Sequence, residues 1–98
     1  MCGFVVLQDN QQAISPSITQ KLSTILSHRG PSAHHYLHHK NILLWHNLLA
    51  IESDVNDGKQ PLTSEDGSLS VVVNGEFYPH GTLREKMKRL GYTFKTNS

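Results

Sequence analysis

The sequence predicts an α+β fold in one small domain. Short apolar runs rich in β-formers are interleaved with two stretches whose apolar residues recur at helical spacing, a pattern of strands covered by helices. The chain has 98 residues, and a chain of that size buries roughly two-thirds of its unfolded surface. It therefore has material for one modest core and not for two.

The elements follow in order. Phe4 to Leu7 reads as a buried strand, and Asp9 to Ala13 as a polar turn. Ser15-Pro16 pairs an N-cap residue with proline at the first helical position. Ile18, Leu22, Ile25 and Leu26 then form one apolar helix face, ending near His28 before Gly30-Pro31. Ile42 to Trp45 and Leu48 to Ile51 read as two strands separated by polar residues. Glu52 to Asp66 is a long polar loop, and Asp66-Gly67 is a tight-turn pair. Leu69 to Val73, with three consecutive valines, is the strongest strand, closed by Asn74-Gly75. Thr82-Leu83-Arg84-Glu85 has the form of a capping box and opens a helix with apolar positions Leu83, Met87 and Leu90, stopped by Gly91. Tyr92 to Lys95 begins a further strand. The run stops at the C-terminus without a polar tail, which reads as part of a longer domain.

Composition excludes several classes. No apolar run approaches the roughly 18 residues of a membrane span, and no basic flank precedes the first apolar run, as a signal peptide would require. Nine basic and eight acidic residues give a net charge of +1, so nothing in the balance points to nucleic acid or an anionic membrane. Arg84, Lys86, Lys88, Arg89 and Lys95 lie near the second helix without aromatic interleaving and read as a solvated face. A single cysteine excludes an intramolecular disulfide framework and suggests a reducing, cytoplasmic setting.

That cysteine is Cys2, directly after Met1. Removal of the initiator methionine would leave a thiol and a free α-amine on one residue. An α-amine has a reference pKa of about 7.7–8.0, so near neutral pH a useful fraction can accept the thiol proton and later return a proton to a leaving amine. Gly3 would let a substrate approach the backbone closely. The plainer alternative is a small packing residue at a strand start. Acyl transfer also needs an oxyanion site. The Asn74 side-chain amide and the Gly75 backbone N–H are two neutral donors that could converge on one oxygen, although Asn-Gly is equally a common hairpin turn.

Taken together, these residues resemble a known family. Met1-Cys2-Gly3-Phe4, His28-Arg29-Gly30-Pro31, Leu44-Trp45-His46 leading into Leu49-Ala50-Ile51, and Gly58-Lys59-Gln60-Pro61-Leu62 follow one another in family order. Val73-Asn74-Gly75-Glu76-Phe77-Tyr78, Leu83-Arg84, Gly91-Tyr92-Thr93-Phe94 and Thr96-Asn97-Ser98 continue it. The chain resembles the class II glutamine amidotransferases, the N-terminal-nucleophile glutaminases, and is most like the glutaminase domain of glutamine-hydrolysing asparagine synthetases. The resemblance implies the N-terminal part of a four-layer αββα sandwich, with the remainder of that domain and a synthetase domain absent from these 98 residues. It implies that Cys2 attacks the side-chain amide of L-glutamine and that Asn74 and Gly75 hold the oxyanion. It further implies that Glu76 helps bind the substrate α-amine and that Ala50, Ile51 and Glu52 line the pocket. Ammonia would pass to a C-terminal ATP-dependent synthetase domain that activates aspartate. ATP and magnesium are expected only there, and the full-length protein is expected as a homodimer.

Three departures from the family pattern bear on function. Leu48 stands where the family has the arginine that clamps the glutamine α-carboxylate, so glutamine binding should be weak or the pocket altered. Ser32 replaces an acidic residue, and Pro79 replaces an asparagine after Tyr78. An acidic residue that helps bind the substrate α-amine would fall just after Ser98. The isolated piece is accordingly expected to have little or no glutaminase activity. A degenerate, non-catalytic module and a relative serving a specialised amide-forming pathway stand as alternatives. The cluster His34-His35-Tyr36-Leu37-His38-His39 offers metal ligands on a helix. In a strand, however, alternation sends His34 and His38 to one face and His35 and His39 to the other, so the expectation is solvated histidines and no metal.

Overall fold

The computed structural model describes residues 2–11, 14–51 and 54–97. Its elements are β1 (Gly3–Gln8), α1 (Ser17–Ile25), β2 (Ala33–His39), β3 (Ile42–Leu48), β4 (Leu62–Thr63), β5 (Ser70–Val71) and α2 (His80–Arg89). The fold is α+β with antiparallel sheets. Three strands form one sheet in the order β1-β3-β2, and β4 and β5 form a two-stranded ribbon. β3 is central: it pairs Gly3↔Asn47 through Gln8↔Ile42 with β1, and Ala33↔Leu48 through His39↔Ile42 with β2. β2 and β3 meet at a two-residue turn, Lys40-Asn41, in which Lys40 takes a left-handed φ of 53°.

Alternation along β3 divides the sheet into two faces. Leu43 and Trp45, each 1% exposed, point to the side covered by α1, where Leu22 is buried and Val5, Leu7, Ile14, Ile18 and Leu26 pack around them. Burying side chains of this size stabilises the fold by roughly 1.5–3 kcal/mol each. His34 and Tyr36 of β2 stack on Trp45, with ring centroids 5.0 and 5.5 Å away. The opposite face carries His46 and Leu48, both buried, but leaves Phe4, Val6, Leu37 and Ile42 exposed.

Several elements differ from the expectation. Ile42 to Trp45 and Leu48 to Ile51 are not two strands, because β3 runs unbroken through His46 and Asn47 to Leu48. Asn47 is tolerated in the middle of the sheet because its polar atoms are paired: Nδ2 donates to the Gly30 carbonyl at 3.1 Å, and Oδ1 accepts from Trp45 Nε1. The valine run forms a ladder only at Ser70–Val71. Val73 N–H goes instead to the Gln60 side chain at 2.6 Å, ending the pairing early. The helix expected at Thr82 starts at His80 after Pro79, so Thr82 lies inside it, and Glu85 pairs with Lys88 rather than closing a capping box. The cap of α1 is Pro16, one residue later than expected; Ser15 Oγ accepts from Ser17 N–H just outside it. The α-helix stops at Ile25, which is itself exposed, and turns carry the chain on to Gly30.

Gly91 ends α2 as expected. Its φ of 93° lets its N–H reach the Lys88 carbonyl and the Tyr92 N–H reach that of Met87. Tyr92 to Lys95 is irregular rather than a strand. Arg84 is not a free surface cation: its guanidinium lies 4.4 Å over the Phe94 ring and donates to the Thr96 carbonyl. The polar turn at Asp9 is partly described, with Asp9 Oδ1 accepting from Gln11 N–H at 2.8 Å; Gln12 and Ala13 lie outside the described residues. At the other tight turn Gly67 adopts φ 72°, and hydroxyl and amide donors from Ser64 and Ser68 hold the Asp66 carboxyl down to about 2. Among the described residues no helix is long and apolar enough to cross a membrane.

Candidate active site

Cys2 lies immediately before β1, and the Gly3↔Asn47 register carries it to the end of β3. Its half-buried thiol sits 3.4 Å from the Leu49 backbone nitrogen, whose N–H points to sulfur, and 3.8 Å from the Leu49 carbonyl. The turn after α1 closes over the same spot. Arg29 donates to the Cys2 carbonyl at 3.5 Å, and its Cβ would be 3.0 Å from a Cβ placed on the buried Gly3. Gly30 is packed tighter still: a Cβ there would meet the Asn47 carbonyl carbon at 2.4 Å. Arg29 and Gly30 thus press the turn after α1 onto the start of β1 and the end of β3.

The end of β3 is fixed by Ser32. Its N–H donates to the Leu48 carbonyl at 3.0 Å, and its Oγ accepts the Ala50 N–H at 3.2 Å. Serine at this position therefore has a local structural task, orienting the backbone of residues 48–50. Leu48 is 6% exposed and lies under Gly58, its Cδ1 3.0 Å from where a Cβ of that glycine would sit. Ala50 is half-buried and Ile51 is exposed; neither continues the strand. Glu52 lies outside the described residues.

Asn74, Gly75 and Glu76 are exposed in the irregular stretch after β5. The Asn74 amide and Gly75 N–H make no hydrogen bond with any described residue, and open space surrounds Gly75. Glu76 accepts a hydrogen bond from the Tyr78 hydroxyl. The structure therefore brings Cys2 together with residues 48–50, and it joins neither Asn74 nor Gly75 to Cys2 by a hydrogen bond. The link between the two halves of the candidate site is indirect and runs through one loop: Gly58 covers Leu48, and the Gln60 side chain accepts the Val73 N–H.

Two histidines of the sheet are shielded from solvent. His46 is fully buried, and among the described residues neither of its ring nitrogens nor the buried Nδ1 of its cross-strand neighbour His35 has a hydrogen-bond partner. Burial pushes both below the usual histidine value; His35 adds a like-charge contribution at His46, and Lys59 and His34 do so at His35. His34, His38 and His39 are exposed, so the expectation of solvated histidines holds for those three and not for His35. Among the described residues no three His, Cys, Asp or Glu side chains are grouped to hold a metal ion.

Comparison with known proteins gives one consistent result. Residues 1–98 match a family profile described as a glutamine amidotransferase domain. Similar curated proteins include the glutamine-hydrolyzing asparagine synthetase 2 of Arabidopsis thaliana, 42% identical, and the glutamine-hydrolyzing asparagine synthetase of Sandersonia aurantiaca, 41% identical. The glutamine-hydrolyzing asparagine synthetase 1 of Bacillus subtilis is 35% identical. Each alignment covers 100% of this chain, which spans only 16, 18 and 17% of the Bacillus, Sandersonia and Arabidopsis proteins respectively. No solved structure matches the chain.

Proposed function

The chain belongs to the glutamine amidotransferase domain family, and on that premise we propose that it supplies the nucleophile of a glutaminase that feeds ammonia to asparagine synthesis. The observation that carries this reading is the placement of the Cys2 thiol at the Leu49 N–H, beside the residue 48–50 backbone. With Met1 removed, the Cys2 α-amine takes the thiol proton and the sulfur attacks the glutamine side-chain carbonyl carbon. The tetrahedral oxyanion is met by the Asn74 amide and the Gly75 N–H, neither of which is hydrogen-bonded to another described residue. The C–N bond breaks, the amine-held proton leaves with ammonia, and water attacks the resulting thioester to release glutamate and regenerate the thiol.

These 98 residues are, on this reading, the N-terminal portion of the glutaminase domain, a proposal supported by the small share of each relative that they span. The exposed row Phe4, Val6, Leu37 and Ile42 on the second sheet face supports a four-layer αββα sandwich, in which that face is covered. Ammonia then passes to an ATP- and magnesium-dependent synthetase domain acting on aspartate, in a cytoplasmic homodimer. The assay is glutamate release from glutamine by the full-length protein. Release that depends on Cys2 supports the reading, and none at any glutamine concentration contradicts it.

Leu48 favours a second reading, a degenerate module with a weakened glutamine site, because leucine offers no donor to an α-carboxylate and here lies buried under Gly58. Leu48→Arg is expected to lower the KM for glutamine by roughly 10- to 100-fold, the worth of a charge-assisted hydrogen bond of about 1.5–3 kcal/mol. It should also lower the unfolding midpoint, since the longer chain must pass Gly58. A KM unchanged by the substitution rules out a missing carboxylate clamp.

A further inference from the structure

Asparagine is one of the chemically labile residues of proteins, and Asn74 is the only asparagine in this chain that precedes a glycine. Glycine puts no Cβ in the way of ring closure between the asparagine side chain and the next backbone nitrogen. The fold does nothing to protect this pair. Asn74 and Gly75 are both exposed and lie in the irregular stretch between β5 and α2. The Gly75 N–H donates to no described residue, so no hydrogen bond has to break before that nitrogen can react. Open space surrounds Gly75, which leaves the backbone room to turn. We propose that Asn74-Gly75 is a site of spontaneous deamidation, at which the chain converts its own candidate oxyanion donor into an acid.

The Gly75 nitrogen gives its proton to solvent base and attacks Asn74 Cγ. A new C–N bond closes a succinimide ring, the Cγ–Nδ2 bond breaks, and the departing nitrogen takes up a proton and leaves as ammonia. Water then opens the ring. Attack at Cγ leaves aspartate at position 74, and attack at the backbone carbonyl carbon leaves isoaspartate, with the main chain running through the side chain. The net change is one water taken up and one ammonia released. Asp66-Gly67 supplies a comparison within the same chain. There the Gly67 N–H is held by the Ser64 carbonyl at 3.0 Å. The Asp66 carboxylate accepts from Ser64 Oγ at 2.6 Å and from Ser68 N–H at 3.0 Å, which keeps it ionised and unreactive toward a nitrogen nucleophile. Asn47 is protected in another way, buried in the central strand with its side chain bonded to Gly30 and Trp45. The consequence at Asn74 rests on the amidotransferase reading, under which substrate must reach this amide and the site stays open to solvent. An ionised carboxylate offers no N–H and repels an oxyanion. Conversion should therefore cost about 10²–10³-fold in kcat, the effect of removing one oxyanion-hole donor.

The test is incubation of the full-length protein in mildly alkaline buffer, followed over time by glutamate release and by mass spectrometry of tryptic peptides. Residues 60–84 form one such peptide and hold both Asp66-Gly67 and Asn74-Gly75. The expected result is a progressive amide-to-acid mass gain at Asn74, as a mixture of aspartate and isoaspartate, with Asp66 unchanged. The share of glutaminase activity that remains should match the share of Asn74 still unconverted at every time point. Gly75→Ala should slow the mass gain severalfold, because its methyl has room in the fold but hinders ring closure. An Asn74 that converts no faster than Asn47, read from the peptide of residues 41–59, overturns the proposal. Conversion that leaves activity unchanged overturns the inactivation, and with it the place of Asn74 at the oxyanion. A fresh protein that hydrolyses no glutamine defeats the amidotransferase reading, while the mass measurement still decides the modification.

Discussion

Cys2→Ala abolishes glutamine hydrolysis by the full-length protein while leaving the chain folded. The loss is expected on the order of a millionfold in kcat, the size seen when a hydrolase loses its nucleophile. Folding should be nearly unaffected because the thiol is half-buried and its contacts are long, 3.4 Å to the Leu49 nitrogen and 3.8 Å to the Leu49 carbonyl. Glutamate release and the urea midpoint, measured on the same samples, separate the two effects. Residual turnover in the alanine variant would mean that another group attacks the amide.

Gly30→Ala is the substitution expected to cost most in stability, about 3 kcal/mol, at the upper end of overpacking penalties. The added methyl would stand 2.4 Å from the Asn47 carbonyl carbon, 2.5 Å from its oxygen and 2.7 Å from the Leu48 nitrogen. These are backbone atoms of a central strand paired on both sides, so they cannot yield as a side-chain tip would. The displacement would also strain the buried bond from Asn47 Nδ2 to the Gly30 carbonyl. Because Asn47 and Leu48 lead directly to the Leu49 N–H at the thiol, activity should fall alongside stability. The check is the urea midpoint at unchanged slope, with Gly81→Ala as the comparison, since open space surrounds Gly81. Equal midpoints for the two variants would contradict the close packing at Gly30.

What could be read from the residues, and what could not, divides along one physical line. Features set by local chemistry were legible: the β-formers of Phe4 to Leu7 that make β1, although Phe4 and Val6 prove exposed rather than buried, the apolar face of α1 around Leu22, and the left-handed stop at Gly91. Features decided by a distant partner were not. His46-Asn47 reads as a polar break, yet Asn47 is satisfied by Gly30 and Trp45, residues that only the fold brings near. Three valines read as a strand, but β4 offers only Leu62–Thr63 to pair with, and Gln60 takes the next N–H. The capping box at Thr82 was overridden by Pro79, which caps the helix three residues earlier. The candidate site divides in the same way. Cys2 at the chain start and the residues near Leu48 were readable from position and motif, and the structure sets them side by side. The clamp of Arg29 and Gly30 over Cys2, the bracing of residues 48–50 by Ser32, and the buried His46 depend on packing between segments far apart in sequence. A histidine directly after Leu43-Leu44-Trp45 was the one available signal for the last of these.

The central claim is that Cys2, freed of Met1, is a nucleophile directed at glutamine. The most direct measurement is the intact mass of the full-length protein after exposure to a glutamine analogue bearing an alkylating ketone in place of its amide. The expected spectrum shows a chain lacking the initiator methionine, carrying one adduct on Cys2, and formed more slowly when saturating glutamine is present. A chain that retains Met1, or a Cys2 adduct whose rate glutamine does not alter, would contradict it.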